Sequence, residues 1–257
     1  MKQATTIPFP YSEEQFKGEL QRAVERYWAV RLGQAKRQRR RGRRDAGTRG
    51  EVTGGKQLDA FSAMLETLAK SAGYTDEEIF FGMKAKGKKE FPVPGYYRPQ
   101  KKWDFAVFRK GRLIAAAEFK SQSGSFGNNC NNRMEEVIGL ARDFWVAYRE
   151  KVFGLAPQPW LGYLFLLEES KKSIRPVELL PSALAPLGKF ANTSYQDRYR
   201  ILCETLVLER DFSATALLSS RRPDAKGPVL YSEPLPGLSV LSFCRSFHAH
   251  LVAASHV

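Results

Sequence analysis

The fold is decided by one stretch of the chain, residues 103–120, which reads WDFAVFRKGRLIAAAEFK. Two apolar runs flank Lys110-Gly111, a pattern that predicts a β-hairpin turning at these two residues. The second run, Leu113–Ala117, is too apolar for a solvated edge strand, yet it leads directly into the triplet EFK at residues 118–120. Burying a carboxylate and an ammonium without partners is costly, so their presence at the end of such a strand indicates a chemical use.

The alternation of side chains along a strand predicts which groups of the hairpin meet. Glu118 and Lys120 are expected on one face, and Ile114 and Ala116 are expected on the same face. If the hairpin is symmetric about its turn, Asp104 lies directly across from Glu118. A register shifted by one residue would send Asp104 to the other face, so the prediction requires a three-residue loop or a bulge.

Two carboxylates and one amine on a shared face suit phosphodiester hydrolysis. Asp104 and Glu118 are the expected ligands of Mg²⁺, with the backbone carbonyl of Phe119 as a further ligand. Lys120 is expected either to position or to deprotonate the attacking water, and to stabilise developing negative charge. A purely structural ion cluster is the alternative interpretation of the same three side chains.

Composition narrows the class of protein. The 257 residues are enough for one large domain, and the net charge of +14 favours polyanions such as nucleic acid. No apolar run approaches the roughly 18 residues of a spanning helix, and the first ten residues lack the pattern of an export signal. Three widely spaced cysteines without a C-x-x-C pair predict reduced thiols, a cytoplasmic location and no zinc site.

The N-terminal part of the chain is predicted to be helical and then strongly basic. A capping box at residues 12–15 opens a helix expected to end near Gly33. The tract Lys36–Arg44 follows, and it is either a charged loop or a phosphate contact. Gln57–Ala72 is predicted to be an amphipathic helix. On this helix, Glu66 is either a third acid near the metal or a solvated flank.

The remainder of the chain combines helices with one further strand. The pattern predicts an asparagine-rich loop at Gly124–Asn132, a helix at Arg133–Arg149 and a strand at Leu161–Leu167. Ser194–Leu218 and Leu238–Ala253 are predicted to be mostly helical. The last of these helices is either a dimer interface or an internal core helix. The expected fold class is α/β.

Two other acid-x-lysine triplets compete with residues 118–120. Glu169-Ser170-Lys171 follows a strand but lacks an acid on a preceding paired strand. The second, residues 224–226, lies in a predicted loop between a proline and a glycine. The first triplet, residues 118–120, is therefore the preferred catalytic candidate.

These residues carry a resemblance to a known family. Asp104 followed by the run EFKSQ at residues 118–122 resembles the PD-(D/E)xK nuclease motif, although Trp103 stands in place of the usual proline. FGNN at 126–129, NNR at 131–133 and WLGYL at 160–164 resemble the XhoI-type restriction endonucleases more narrowly. The similarity extends from about Gly54 to Leu218.

The resemblance implies a fold, an activity and partners. The expected fold is a restriction-endonuclease-like core with a mixed central sheet flanked by helices, plus additional N- and C-terminal helices. We expect residues 1–53 to form a helix and basic arm, and residues 54–257 to form the nuclease domain. The implied activity is Mg²⁺-dependent cleavage of a palindromic duplex site, CTCGAG in the family prototypes, by a homodimer. A cognate DNA methyltransferase is expected in the host.

Several polar residues near the expected metal site are candidates for contacting DNA. Asparagine can read adenine and arginine can read guanine, whereas lysines suit phosphates. A local role in turns and caps is the alternative for the asparagines. The candidates are Asn128, Asn129, Asn131, Asn132, Arg133, Lys101 and Lys102. Two other functions fit the same composition: a non-catalytic nucleic-acid-binding protein, and a repair or structure-selective nuclease.

Overall fold

The computed structural model describes residues 7–40, 57–81, 92–154, 157–224 and 227–255, without the side chains of residues 35–40. Six strands form one sheet, in the order β1-β4-β5-β6-β7-β8, and β2 and β3 form a separate small ribbon. The strands are β1 (Ile79–Phe81), β2 (Val93–Pro94), β3 (Gln100–Lys101), β4 (Phe105–Arg109), β5 (Arg112–Gln122), β6 (Trp160–Glu169), β7 (Ala214–Arg221) and β8 (Tyr231–Ser232). The pairs β5–β6 and β6–β7 are parallel and the other pairs of the large sheet are antiparallel.

Helices cover both faces of this mixed sheet. They are α1 (Glu13–Arg40), α2 (Asp59–Ser71), α3 (Phe126–Arg149), α4 (Lys171–Ile174), α5 (Tyr195–Leu208) and α6 (Val240–Ala254). One apolar core joins α1, α2 and α6 to one face of the sheet, and a second core joins α3 and α5 to the other. The predicted α/β class with a mixed central sheet is confirmed. Among the residues described, no helix combines the length and apolar character needed to cross a membrane.

The central hairpin turns where the sequence predicts. Arg109 pairs with Arg112, so Lys110 and Gly111 alone form the turn. Both turn residues have positive φ, 51° and 75°, which matches the right-handed twist of the flanking strands. This conformation comes easily to glycine and is unfavourable for lysine.

A β-bulge in β5 sets the register of the hairpin beyond the turn. Phe105 pairs with Ala117, and continuing this register by one residue places Asp104 opposite Glu118. The residue left out of the pairing is Ile114. Without the bulge, the two-residue turn would have shifted the register by one and separated the two acids. The bulge is therefore one of the two alternatives that the sequence analysis required.

The same bulge corrects the expectation for Ile114. Its side chain lies in the core on the side of α1, α2 and α6, together with Ala115 and Ala117. Ala116 lies in the opposite core. The prediction that Ile114 and Ala116 share a face was wrong, because a bulged residue interrupts the strict alternation of a strand.

Two other expectations about the elements were wrong. The predicted loop Gly124–Asn132 is mostly helix, since α3 begins at Phe126 and buries Phe126 and Cys130 one turn apart. The predicted helix Ser194–Leu218 ends at Leu208, and its last part is strand β7. This strand is buried on both faces of the sheet, so it shows no alternation that would distinguish it from a helix.

The first helix extends beyond its predicted end, whereas two other predicted helices are confirmed. α1 continues to Arg40, beyond the expected end near Gly33, and so includes the start of the basic tract. The rest of that tract, residues 41–44, lies outside the described residues. α2 and α6 confirm the helices predicted at Gln57–Ala72 and Leu238–Ala253. α6 buries its apolar side chains in the core, which is the arrangement expected of an internal core helix.

Candidate active site

Asp104 lies just before β4, and its carboxylate is held by the neighbouring strand. Its Oδ2 accepts a hydrogen bond of 2.8 Å from the backbone N–H of Phe119. The hydroxyl of Ser62 on α2 donates to the backbone carbonyl of Asp104 at 3.4 Å. The side chain is therefore oriented from β5 and the backbone from α2, which fixes the acid relative to the sheet.

Glu118 lies at the centre of the site and is only 3% exposed. Its Oε1 is 2.8 Å from Nζ of Lys120, and its Oε2 is 2.9 Å from Nζ of Lys101. Lys120 shares the face of β5 with Glu118, as the alternation predicts, whereas Lys101 reaches the carboxylate from the small ribbon. The structure thus brings the three predicted catalytic side chains together. Their catalytic roles stay predictions.

The electrostatics of the site reflect the closeness of its charged groups. Burial, together with the negative charge of Glu118, raises the pKa of Asp104 to about 7. Burial by itself would lower the pKa of Lys120, but the carboxylates of Glu118 and Glu136 outweigh it, so the pKa of Lys120 is raised. The negative charge of Glu118 therefore opposes the ionisation of Asp104, and the amine of Lys120 is held in its charged form.

This donor set fits a hard divalent cation. Carboxylate and carbonyl oxygens are the ligands that such cations prefer, and a cation between Asp104 and Glu118 would relieve the repulsion that raises the pKa of Asp104. Within the described part of the chain, no group of three or more acidic, histidine or cysteine side chains could hold a metal. The predicted ligands therefore stay Asp104, Glu118 and the backbone carbonyl of Phe119.

Glu66, the possible third acid, is engaged elsewhere in the structure. Its carboxylate is 2.9 Å from Nζ of Lys70, one turn further along α2. This arrangement corresponds to the solvated helix flank, and the structure does not bring Glu66 to the other two acids. Its role as a metal ligand stays a prediction without support from the geometry.

Glu136 is a member of the charged cluster that the sequence analysis did not select. It falls in the first turn of the predicted helix Arg133–Arg149, but the observed helix α3 begins at Phe126, ten residues before Glu136. Its Oε1 is 2.9 Å from Nζ of Lys120, and its Oε2 forms an ion pair with Arg133. Its position three residues after the NNR run at 131–133, which is part of the family resemblance, was the signal that could have pointed to it.

A buried glutamine also links the catalytic strand to α3. Gln122 follows Lys120 by two residues and is 4% exposed. Its Nε2 donates to the backbone carbonyl of Ser125 at 3.2 Å, and its Oε1 accepts a hydrogen bond from the hydroxyl of Tyr199. The end of β5 is thereby tied to the loop from which α3 starts.

The candidate DNA-contacting residues divide into three groups. Asn128, Asn131 and Asn132 are exposed along α3, while Asn129 and Arg133 are partly buried there. Lys102 is exposed beside the hairpin. Lys101 is inside the charged cluster, on Glu118, rather than on the open surface. Contacts of these residues with DNA stay predictions.

A groove opens beside the first turn of α3. Its volume is about 680 Å³. Its lining includes Asn128, the aromatic ring of Tyr195 and two cationic side chains, Lys172 and Arg175. The groove thus places positive charge and hydrogen-bonding groups next to the asparagines, and the acidic side chain of Glu178 also lines it.

The rival triplets have structural surroundings of a different kind. Glu169 pairs with Arg221 at 2.7 Å, and the hydroxyl of Ser170 caps the short helix α4. Of the other triplet, only Asp224 is among the described residues. The rival at residues 169–171 therefore shows no second acid and no buried charge cluster among its described contacts.

Comparison with known proteins identifies the family of this chain. The family described as restriction endonuclease XhoI matches residues 37–232. The type II restriction enzyme BstVI of Geobacillus stearothermophilus is 42% identical over 216 residues, 81% of this chain and 92% of the relative. The type II restriction enzyme XhoI of Xanthomonas vasicola is 42% identical over 168 residues, 65% of this chain and 66% of the relative.

A third relative, the type II restriction enzyme AbrI of Azospirillum brasilense, is 41% identical over 152 residues, 59% of this chain and 66% of the relative. No solved structure gives a significant match. The match of the family over most of the chain identifies this protein as a member of the XhoI restriction endonuclease family, and thus as a type II site-specific deoxyribonuclease.

Proposed function

We propose that this restriction endonuclease cleaves duplex DNA at the palindrome CTCGAG in a Mg²⁺-dependent reaction. The observation that carries the reaction is the convergence of Asp104, Glu118 and Lys120 on one face of the central hairpin. The choice of CTCGAG rests on the resemblance to the family prototypes, which the extended similarity to the named restriction enzymes supports.

The residues of the site divide the chemistry between them. Asp104, Glu118 and the carbonyl of Phe119 would hold the Mg²⁺ ion, which supplies a Lewis acid for the phosphate and lowers the pKa of water. Lys120 positions the attacking water and stabilises the negative charge that develops on the phosphate. The N–H of Phe119 keeps the Asp104 carboxylate turned toward Glu118.

Recognition of the site is assigned to α3 and the groove at its start. The exposed asparagines and Arg133 suit contacts with base edges. Lys172 and Arg175 in the groove, and Lys102 beside the hairpin, suit contacts with the backbone phosphates. The net charge of +14 adds a sequence-independent attraction to DNA.

The proposed assembly is a homodimer. Cutting both strands of a palindrome requires two sites related by a two-fold axis, because the symmetry of the protein then mirrors that of the DNA. A cognate methyltransferase that modifies CTCGAG is the expected partner activity in the host. The proposed location is the cytoplasm, in keeping with three cysteines that are all buried free thiols.

A cleavage assay on matched plasmids tests the proposal. The substrates are an unmethylated plasmid with a single CTCGAG and the same plasmid with one base pair of the site changed. We expect Mg²⁺ to linearise only the first plasmid, EDTA to prevent cleavage, and sequencing of the ends to place the cut within CTCGAG. Equal cutting of both plasmids would assign a different specificity, and intact plasmid with every divalent cation would refute the proposed reaction.

A further inference from the structure

We propose that Glu136 is a positioning residue that couples DNA recognition by Arg133 to the placement of Lys120. This inference rests on the proposed function, and it concerns a residue that neither binds the metal nor reads a base. The observation that carries it is a single carboxylate shared between a catalytic amine and a guanidinium on the recognition helix.

The geometry of this bridge is specific. Glu136 Oε1 lies 2.9 Å from Nζ of Lys120, and Glu136 Oε2 lies 2.5 Å from a terminal nitrogen of Arg133. Arg133 precedes Glu136 by three residues on α3, a spacing that places both side chains on one side of a helix. Each oxygen of the carboxylate therefore serves a different cation.

For Lys120, the bridge provides a second anchor. Its ammonium lies between Oε1 of Glu118 at 2.8 Å and Oε1 of Glu136 at 2.9 Å. If Glu136 were neutral, the charge attraction on Lys120 would come from Glu118 alone among these partners. Lys120 would then compete more strongly with a metal ion for the oxygens of Glu118, where Lys101 already occupies Oε2.

For Arg133, the bridge uses only part of its hydrogen-bonding capacity. A guanidinium carries five N–H donors, and one of its nitrogens donates to Glu136. The remaining donors can contact DNA, and the Glu136 side chain is 41% exposed, so the bridge lies where a ligand can approach. A DNA contact that moves the Arg133 guanidinium changes the position of the positive charge next to Glu136. Because the Glu136 carboxylate also holds Lys120, the same movement changes the electrostatic surroundings of Lys120.

Glu135 offers a matched control for these arguments. It neighbours Glu136 on α3 and carries the same charge, but it is exposed and makes no ion pair among the described residues. Glu135→Gln therefore reproduces the loss of one negative charge from the helix without breaking the bridge.

The test compares single-turnover cleavage and DNA binding for Glu136→Gln, Arg133→Ala, the double variant and Glu135→Gln. We expect Glu136→Gln to lower the single-turnover rate constant by about 10- to 100-fold, as is typical when the partner that orients a metal-site group is lost. Binding of the CTCGAG duplex without metal should change little, and Glu135→Gln should cleave like wild type. Because the two residues act through one bridge, the single-turnover rate of the double variant with all DNA bound should be about that of Glu136→Gln. Its affinity for DNA should fall separately, through the lost Arg133 contacts.

Further measurements separate positioning from a structural role. Glu136→Asp keeps the charge and is expected to recover part of the lost single-turnover rate. Thermal unfolding of all variants checks that they fold. Equal single-turnover rates for Glu136→Gln and Glu135→Gln, or fully additive losses of that rate in the double variant, would overturn the inference. Failure of wild type to cut CTCGAG would instead refute the proposed specificity, so the two failures are distinguishable.

Discussion

Lys120 is the residue whose surroundings say most about the chemistry of the site. It is a partly buried amine within 3 Å of two carboxylates, one on its own strand and one on α3. Such an amine cannot move far, so it presents its positive charge at a defined place beside the expected metal ligands. This preorganisation is the physical basis for charge stabilisation without rearrangement.

We predict that Lys120→Ala abolishes rapid cleavage while leaving DNA binding intact. Removing one donor that stabilises developing charge typically lowers kcat by about 10²- to 10³-fold. Lys171→Ala, the same change in the rival triplet, should have no effect on kcat. Rates of plasmid cleavage and gel-shift affinity check both expectations. Wild-type cleavage by Lys120→Ala would refute the assignment, and a loss confined to Lys171→Ala would transfer it to the other triplet.

At the level of the element, the turn of the hairpin requires a left-handed backbone conformation, which is unfavourable for most residues other than glycine. Gly111 has φ of +75°, and no atom lies within 4 Å of an added Cβ, so the cost of substitution is backbone strain alone. Gly139 offers the opposite case. It lies inside helix α3 with open space around the added Cβ and no positive φ.

We therefore predict opposite effects for two glycine-to-alanine substitutions. Gly111→Ala should lower the free energy of unfolding by about 1 kcal/mol, since alanine is strained at positive φ. Gly139→Ala should raise it by about 0.5–1 kcal/mol, since alanine favours the helix. Urea denaturation of both variants measures the two changes. A gain for Gly111→Ala would mean that the turn is not in the left-handed conformation.

Some elements of the fold could be predicted because local sequence determines them, whereas others depend on contacts with distant parts of the chain. The hairpin and α2 were predictable because their turn residues and periodicity are local in the sequence. The start of α3 was not, since asparagines locally favour turns while burial of Phe126 and Cys130 favours the helix. β7 was not predictable either, because its strand form depends on parallel pairing with β6, which is distant in sequence.

Over the whole molecule, Arg109 connects three distant parts of the chain. Its guanidinium makes a two-point ion pair with Glu78, at 2.8 and 2.9 Å. It also donates to the carbonyl of Gly73 at 2.7 Å and stacks 3.7 Å above the ring of Tyr74. A further hydrogen bond of 3.4 Å reaches the carbonyl of Ser255 after α6. The tip of the catalytic hairpin is thereby joined to the segment after α2 and to the C-terminal helix.

We predict that this ion pair contributes stability that depends on pH. The ion pair with Arg109 lowers the pKa of Glu78 below the ordinary value for glutamate, about 4.5. The stabilisation by this ion pair is therefore complete above the pKa of Glu78 in the unfolded chain. It is lost as the pH falls through the lower pKa of Glu78 in the folded protein. Glu78→Gln should lower the free energy of unfolding by about 1–3 kcal/mol at neutral pH. The difference from wild type should shrink in acid.

Urea denaturation at a series of pH values measures this dependence. Glu77→Gln is the matched control, since Glu77 is the exposed neighbouring residue. A difference between wild type and Glu78→Gln that stays constant from neutral to strongly acidic pH would contradict the prediction.

The sequence by itself determined that Glu118 and Lys120 share a face, that a hairpin presents them, and that Asp104 is within one residue of the right register. Only the tertiary structure decided the rest. It left Ile114 unpaired to place Asp104 opposite Glu118, brought Lys101 onto Glu118, and set Glu136 between Lys120 and Arg133. The physical reason is the distance along the sequence over which the determining interactions act. Alternation along a strand is a property of neighbouring residues, whereas pairing register and contacts between elements depend on packing across the whole sheet.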